Sequence, residues 1–152
     1  MTRRLTAILI ALTAALALAA TALASYNPAT TRNPAAFVRS ALLLEARGQY
    51  NRSWALLHPA EQKILSRTKY ISCMHENHPR RIASVGVLAV SDTTIMYDSI
   101  PQHAVKAVTV SVNYQDGGQS TFTMSAVPVG GGFRWVLSPQ SELRARFGTC
   151  PY

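Results

Sequence analysis

Tyr50-Asn-Arg-Ser-Trp54-Ala-Leu-Leu57-His58-Pro59-Ala-Glu-Gln-Lys-Ile64-Leu65-Ser66-Arg-Thr-Lys-Tyr70-Ile-Ser-Cys73 is the stretch whose reading decides the fold. Its apolar residues, Trp54, Leu56, Leu57, Ile64, Leu65, Tyr70 and Ile71, fall into short amphipathic groups punctuated by Pro59 and Ser66. His58 must leave helical geometry because a proline follows it, and Pro59 can open the next helix where its missing N–H does no harm. The pattern predicts a helix over 49–57, another over 60–65, and a third that Ser66 caps and that runs to about Asn77, with Pro79 ending the helical half. Helices this short cannot stand alone, so they need a sheet to cover their apolar faces.

Upstream, Asn33-Pro34 predicts a helix start and Gly48 a stop after Arg47, with Phe37, Val38, Ala41, Leu42 and Leu44 at helical spacing. Downstream the period changes to two. Strands are expected over 81–90, with Gly86 a bulge or bend, and over 93–99, after a turn at Ser91-Asp92. Ile100-Pro101-Gln102 turns into a strand over 104–114, in which Val108, Val110, Val112 and Tyr114 share a face. Asp116-Gly117-Gly118 and Gly130-Gly131-Gly132 mark hairpins around a strand over 121–129, whose Phe122, Met124 and Ala126 share a side. A strand over 133–137 carries Phe133, Trp135 and Leu137 together, and a short helix or turn over 138–147 brings Cys150 back to the helices. The expected class is α+β, with N-terminal helices packed on one face of an antiparallel sheet.

The chain begins as a targeting segment does: Arg3-Arg4, an apolar run from Leu5 to Leu23, and Ala22-Leu23-Ala24 before Ser25. The expected organisation is a signal peptide over 1–24, a linker over 25–32 and one domain over 33–152. The competing reading is a retained membrane anchor over 5–24. Either way the domain is secreted or extracytoplasmic. In an oxidising compartment Cys73 and Cys150 are expected to form a disulfide, the alternative being two buried thiols. Closing so long a loop contributes at most ~4.5 kcal/mol in the chain-entropy account.

The formal charge of +8 falls to +6 once Arg3 and Arg4 are removed. An exported basic chain meets anionic surface polymers or headgroups rather than nucleic acid, and net charge also keeps a protein soluble. Arg80-Arg81, with Lys63, Arg67 and Lys69, is the candidate basic patch.

The order of elements and the run Gly48-Gln49-Tyr50…Trp54-Ala55-Leu56-Leu57-His58-Pro59-Ala60-Glu61 resemble small exported members of the nuclear transport factor 2-like superfamily. The resemblance covers about residues 33–137. It implies a cone of helices against a strongly curved sheet, with a concave pocket between them. That superfamily holds isomerase-like and cyclase-like enzymes beside many binding modules, so the fold does not fix the activity. None of its catalytic motifs maps onto this chain.

Four constellations remain. Cys73-Met74-His75-Glu76-Asn77-His78 spaces its histidines three apart, where a zinc-protease helix needs four, and Cys73 has the competing disulfide; no metal or cofactor is expected. Asp98 and His103 flank the Ile100-Pro101 turn; set opposite each other they would make a carboxylate–imidazole base, or else an ordinary rim ion pair. Tyr50, Trp54 and Tyr70 are the pocket-lining candidates, with core packing as the competing role. His58 is expected to cap the helix that Pro59 opens.

The functional expectation is an exported non-catalytic binding or accessory domain. Its partners would be a small apolar ligand, an envelope protein, anionic surface polymers or a second copy. The alternative is a small cofactor-independent isomerase or dehydratase working in the pocket.

Overall fold

The computed structural model describes residues 28–77 and 80–151. The expected signal peptide over 1–24 lies outside the described residues, as do His78 and Pro79. A 3₁₀ turn, Pro28–Thr30, precedes helices α1 (Pro34–Ala46), α2 (Tyr50–Trp54), α3 (Pro59–Ile64) and α4 (Arg67–Glu76). Strands β1 (Ile82–Ile95), β2 (His103–Tyr114), β3 (Gln119–Val129) and β4 (Gly132–Trp135) follow, then α5 (Pro139–Arg146). The strands form one antiparallel sheet in the order β1-β2-β3-β4, so the class is α+β with the helices ahead of the sheet. Among the described residues no helix is long and apolar enough to cross a membrane.

The helix ends follow local chemistry. The Asn33 carboxamide oxygen accepts from the Ala36 N–H at 3.1 Å, and Gly48 sits at φ +67, where a Cβ would be strained. Ser66 caps α4 through Lys69, and Ser138 caps α5 through Ser141. His58 caps α3: its Nδ1 accepts from the Ala60 N–H at 3.2 Å.

One strand expectation is corrected. Ser91 and Asp92 do not turn; they are paired with Ala107 and Lys106 in a continuous β1 that takes in 93–95 of the separate strand expected over 93–99 and leaves 96–99 outside the sheet. Asp92 lies within the backbone ladder, where Lys106 is directly opposite and ion-pairs with it at 2.5 Å. The reversal comes later, where Tyr97 and Ile100 exchange backbone hydrogen bonds of 3.0 and 3.1 Å. Gly86 is in register with Ser111; the irregularities lie on either side, between Ile82 and Ser84 and between Val87 and Ala89. Val87, Leu88 and Val90 on this edge strand are exposed.

Two cores result. The larger one sets Phe37, Val38, Leu57 and Tyr70 against Val108, Val110 and Val112, the shared face read from β2. A smaller one gathers Ile95, Ile100, Val105, Val127 and Val136, with Ala60 and Tyr97 against it. Strand alternation turns Val105 and Val127 away from Val108 and Ala126, so this second core lies on the opposite face. The edge of β4 is engaged by the segment before α3: the His58 N–H donates to the Trp135 carbonyl (2.9 Å), and the Trp135 N–H to that of Leu56 (3.1 Å). The Cys73–Cys150 disulfide, with Cα atoms 5.4 Å apart across 77 residues, fastens α4 to the chain after α5. A Cβ on Gly132 would meet the Ala29 carbonyl, so the 3₁₀ turn docks on β4 only because that position is glycine.

Candidate functional site

Glu45 is the hub. It stands one helical turn beyond Ala41, on the face of α1 that packs on the sheet, which brings a carboxyl group among apolar neighbours. Its Oε1 accepts from the Tyr70 hydroxyl at 2.7 Å and from the Ser53 hydroxyl at 2.9 Å, and those two hydroxyls lie 3.0 Å apart. Burial pushes the Glu45 pKa up, and the two hydroxyl bonds pull against that rise. The Trp135 indole N–H donates to the Ser53 carbonyl at 3.2 Å, tying the group to β4.

Glu45 borders two clefts. The first, a groove of about 540 Å³, is lined by Leu42, Phe122, Met124, Trp135 and Leu137, and Glu45 is its one charged residue. It runs beside β3 where β4 has already ended: β4 pairs only with 126–129, leaving 122–125 without a β4 partner. The second, about 700 Å³, lies where α1 and α4 end and β1 begins. Arg47, His75, Arg80 and Arg81 line it, with Tyr50 at its wall.

The sequence candidates are distributed around this hub. Tyr50 lines the larger cleft, its ring edge-on to His75 with centroids 5.2 Å apart. Tyr70 is fully buried and acts through its hydroxyl on Glu45. Trp54 is half-buried and donates its indole N–H to the Leu65 carbonyl at 2.9 Å, a bond that holds α2 to the end of α3.

Asp98 and His103 do not face each other across a ladder. His103 pairs with Ile95, whereas Asp98 falls in the turn beyond the last pair and lines a small cleft with Glu142 and Arg146. His103 lies on the His58 side, where it, Arg134 and burial together lower the His58 pKa, burial most. No group of three metal-ligating side chains comes together among the described residues; Cys73 is committed to its disulfide, and His78 lies outside them. The sequence-adjacent basic patch divides: Arg80 and Arg81 line the larger cleft, while Lys63, Arg67 and Lys69 stand on α3 and on the first turn of α4.

Sequence reasoning missed Glu45 and a second pair, Glu61 and Glu142. The available signal for Glu45 was a carboxylate one turn from Ala41 in an otherwise apolar stripe. Glu61 is fully buried on α3 and Glu142 nearly so on α5. Ser99 links them, its N–H donating to Glu142 Oε1 at 3.1 Å and its hydroxyl to Glu61 Oε1 at 3.4 Å. Arg146 donates twice to Glu142, at 3.1 and 2.7 Å, while Glu61 Oε2 has no partner among the described residues. Burial first, then the neighbouring Glu142, raises the Glu61 pKa to about 7.

The chain matches no protein-family model, no curated protein and no solved structure.

Proposed function

We propose that this chain is an exported, non-catalytic binding domain that holds a small amphipathic ligand in the groove between α1 and the free stretch of β3. The observation that carries this reading is the groove itself: apolar walls from Leu42, Phe122, Met124, Trp135 and Leu137, with one carboxyl group and a rim of serine, threonine and tyrosine residues. Ligand sites of this size combine mostly apolar walls with few polar groups, the walls contributing affinity and the polar group orientation. The leader-like residues 1–24 and the disulfide support export. Membership of the nuclear transport factor 2-like superfamily belongs to the same proposal, supported by the residue run from Gly48 to Glu61 and the order of helices before sheet.

Titration with the apolar dye 1-anilinonaphthalene-8-sulfonate, read by energy transfer from Trp135, tests it. Saturable binding that Phe122→Asp weakens about tenfold, with melting unchanged, is the expected result. Binding that ignores both Phe122→Asp and Leu42→Asp rejects the groove as the site.

A second reading has its own observation: Glu45 and Tyr70, both ionisable, are in hydrogen-bond contact at 2.7 Å beside the groove. A carboxyl held high by burial is suited to take a proton from a bound carbon acid, with the Tyr70 and Ser53 hydroxyls steadying the carboxylate. That reading expects the α-hydrogens of a bound cyclic ketone to exchange in deuterated water, and Glu45→Gln to stop the exchange without releasing the ketone. No exchange above the rate in buffer leaves the domain a binder.

A further inference from the structure

We propose that the cleft of about 700 Å³ at the ends of α1 and α4 is a separate binding site for an oxyanion, a carboxylate or phosphate group carried by a small molecule or a surface headgroup. Only Glu45 borders both clefts; the basic residues that carry this site are absent from the groove, so the site does not depend on it.

The charge inventory carries the argument. The chain has seven acidic residues, and all of them are described: Glu45, Glu61, Glu76, Asp92, Asp98, Asp116 and Glu142. Asp92 is taken by Lys106 and Glu142 by Arg146, while Glu76 accepts from Ser72. Glu61 and Asp98 lie around α5, away from this cleft. Asp116 is taken by Arg80, one of the four basic side chains that line the cleft, which leaves Arg47, Arg81 and His75 with one lining carboxyl, Glu45. That carboxyl is engaged elsewhere: its Oε1 accepts from the Tyr70 and Ser53 hydroxyls, and among the described residues no basic side chain lies within ion-pair distance of it. Among the described residues Arg47 and Arg81 have no acidic partner within ion-pair distance.

Arg80 adds preorganisation. Its Nε and Nη2 donate to the two oxygens of Asp116 at 2.9 and 2.6 Å, and its guanidinium carbon stands 4.0 Å over the Tyr114 ring. Two of its five N–H donors are so used, and the plane is fixed with donors left over. Gly118 is required for this placement, because a Cβ there would collide with the Arg80 side chain. Fixed guanidinium groups in a concave site recognise planar and tetrahedral oxyanions better than flexible ammonium groups, because their forked donors match paired oxygens. Tyr50, Met74 and Ile82 line the same cleft, giving the body of the ligand an apolar surface.

The test is a titration of the disulfide-intact chain with inorganic phosphate at constant ionic strength, followed by the arginine Nε–Hε resonances. The expected result is saturable shifts at Arg47, Arg80 and Arg81, weakened about tenfold by Arg81→Gln or Arg47→Gln and unaffected by Arg67→Gln on the first turn of α4. A parallel arm measures retention on phosphatidylglycerol vesicles. Saturation by phosphate with no vesicle binding identifies a free anion. Vesicle retention lost in Arg47→Gln/Arg81→Gln but kept in Arg67→Gln identifies a headgroup, and either outcome upholds the site. Shifts that chloride reproduces, or binding in both arms that the double variant leaves unchanged, overturns it, as does no response in either arm. Melting curves of Arg47→Gln and Arg81→Gln matching the parent keep a folding defect from being read as lost binding.

Discussion

Two regions of this molecule withdraw a glutamate from water under opposite conditions, Glu45 partly buried beside two clefts and Glu61 fully buried. At Glu45 two hydroxyls, Tyr70 and Ser53, converge on one oxygen, and the residue borders two clefts. At Glu61 a single long bond from Ser99 is the support, a second carboxylate is near, and one oxygen has no partner among the described residues. Both pKa values rise through burial first. The difference lies in what accompanies burial: at Glu45 two hydroxyl bonds oppose the rise, whereas at Glu61 the neighbouring Glu142 charge adds to it more than either Ser99 or Arg146 takes away. A supported carboxyl beside a cleft suits recognition, whereas a crowded one in a closed core makes stability depend on pH.

The disulfide joins the two regions, since α4 supplies Tyr70 and α5 supplies Glu142. Cys73→Ser/Cys150→Ser should have the largest effect, a loss of about 3 kcal/mol in denaturant unfolding. An unchanged midpoint would show that packing alone holds the regions together.

Next is pH. A carboxyl whose folded pKa lies above its unfolded value favours the folded state while protonated. For Glu61, stability should therefore fall as pH rises from 4.5 to about 7 and level off above that. Melting should drop by about 5 °C between pH 5 and pH 8, and Glu61→Gln should remove most of the drop. Glu45, shifted in the same direction, adds to the drop, whereas His58, held below its usual value, opposes it. A profile as steep in Glu61→Gln as in the parent would move the sensitivity elsewhere.

Tyr70→Phe sharpens the contrast from the other side. It should cost about 1 kcal/mol, and by removing a bond that lowers the Glu45 pKa it should extend the fall in stability to higher pH. A profile that shifts the other way would show that the hydroxyl does not support the carboxylate. Smallest of all, Lys106→Ala breaks an exposed pair with Asp92 and should change stability by about 0.5 kcal/mol or less. A loss above 2 kcal/mol would show that this pair, not backbone pairing, sets the register of β1.

Much of the fold was legible because its signals are local. Asn33-Pro34 and Ser66 start helices, Gly48 ends one, and the alternation of Val108, Val110 and Val112 gives β2 its buried face. The reading failed at Ser91-Asp92, where turn-forming residues sit inside a strand because the backbone ladder with β2 runs through them, from 89–90 to 93–95. It failed again at Asp98 and His103, because β1 ends at Ile95, opposite His103, and the reversal begins at Tyr97 rather than at Ile100, which leaves Asp98 inside the turn.

By itself the sequence determined the α+β class, the helix caps, the hairpin glycines and the one pairing open to two cysteines. Each of these depends on residues close in the chain or on a count. Only the tertiary structure decided that Glu45 meets Tyr70 and Ser53, that Glu61 faces Glu142, and that Arg47 joins Arg80 and Arg81 around one cleft. Those groups come from separate elements, and burial and charge act through distances in space that residue spacing along a chain does not carry.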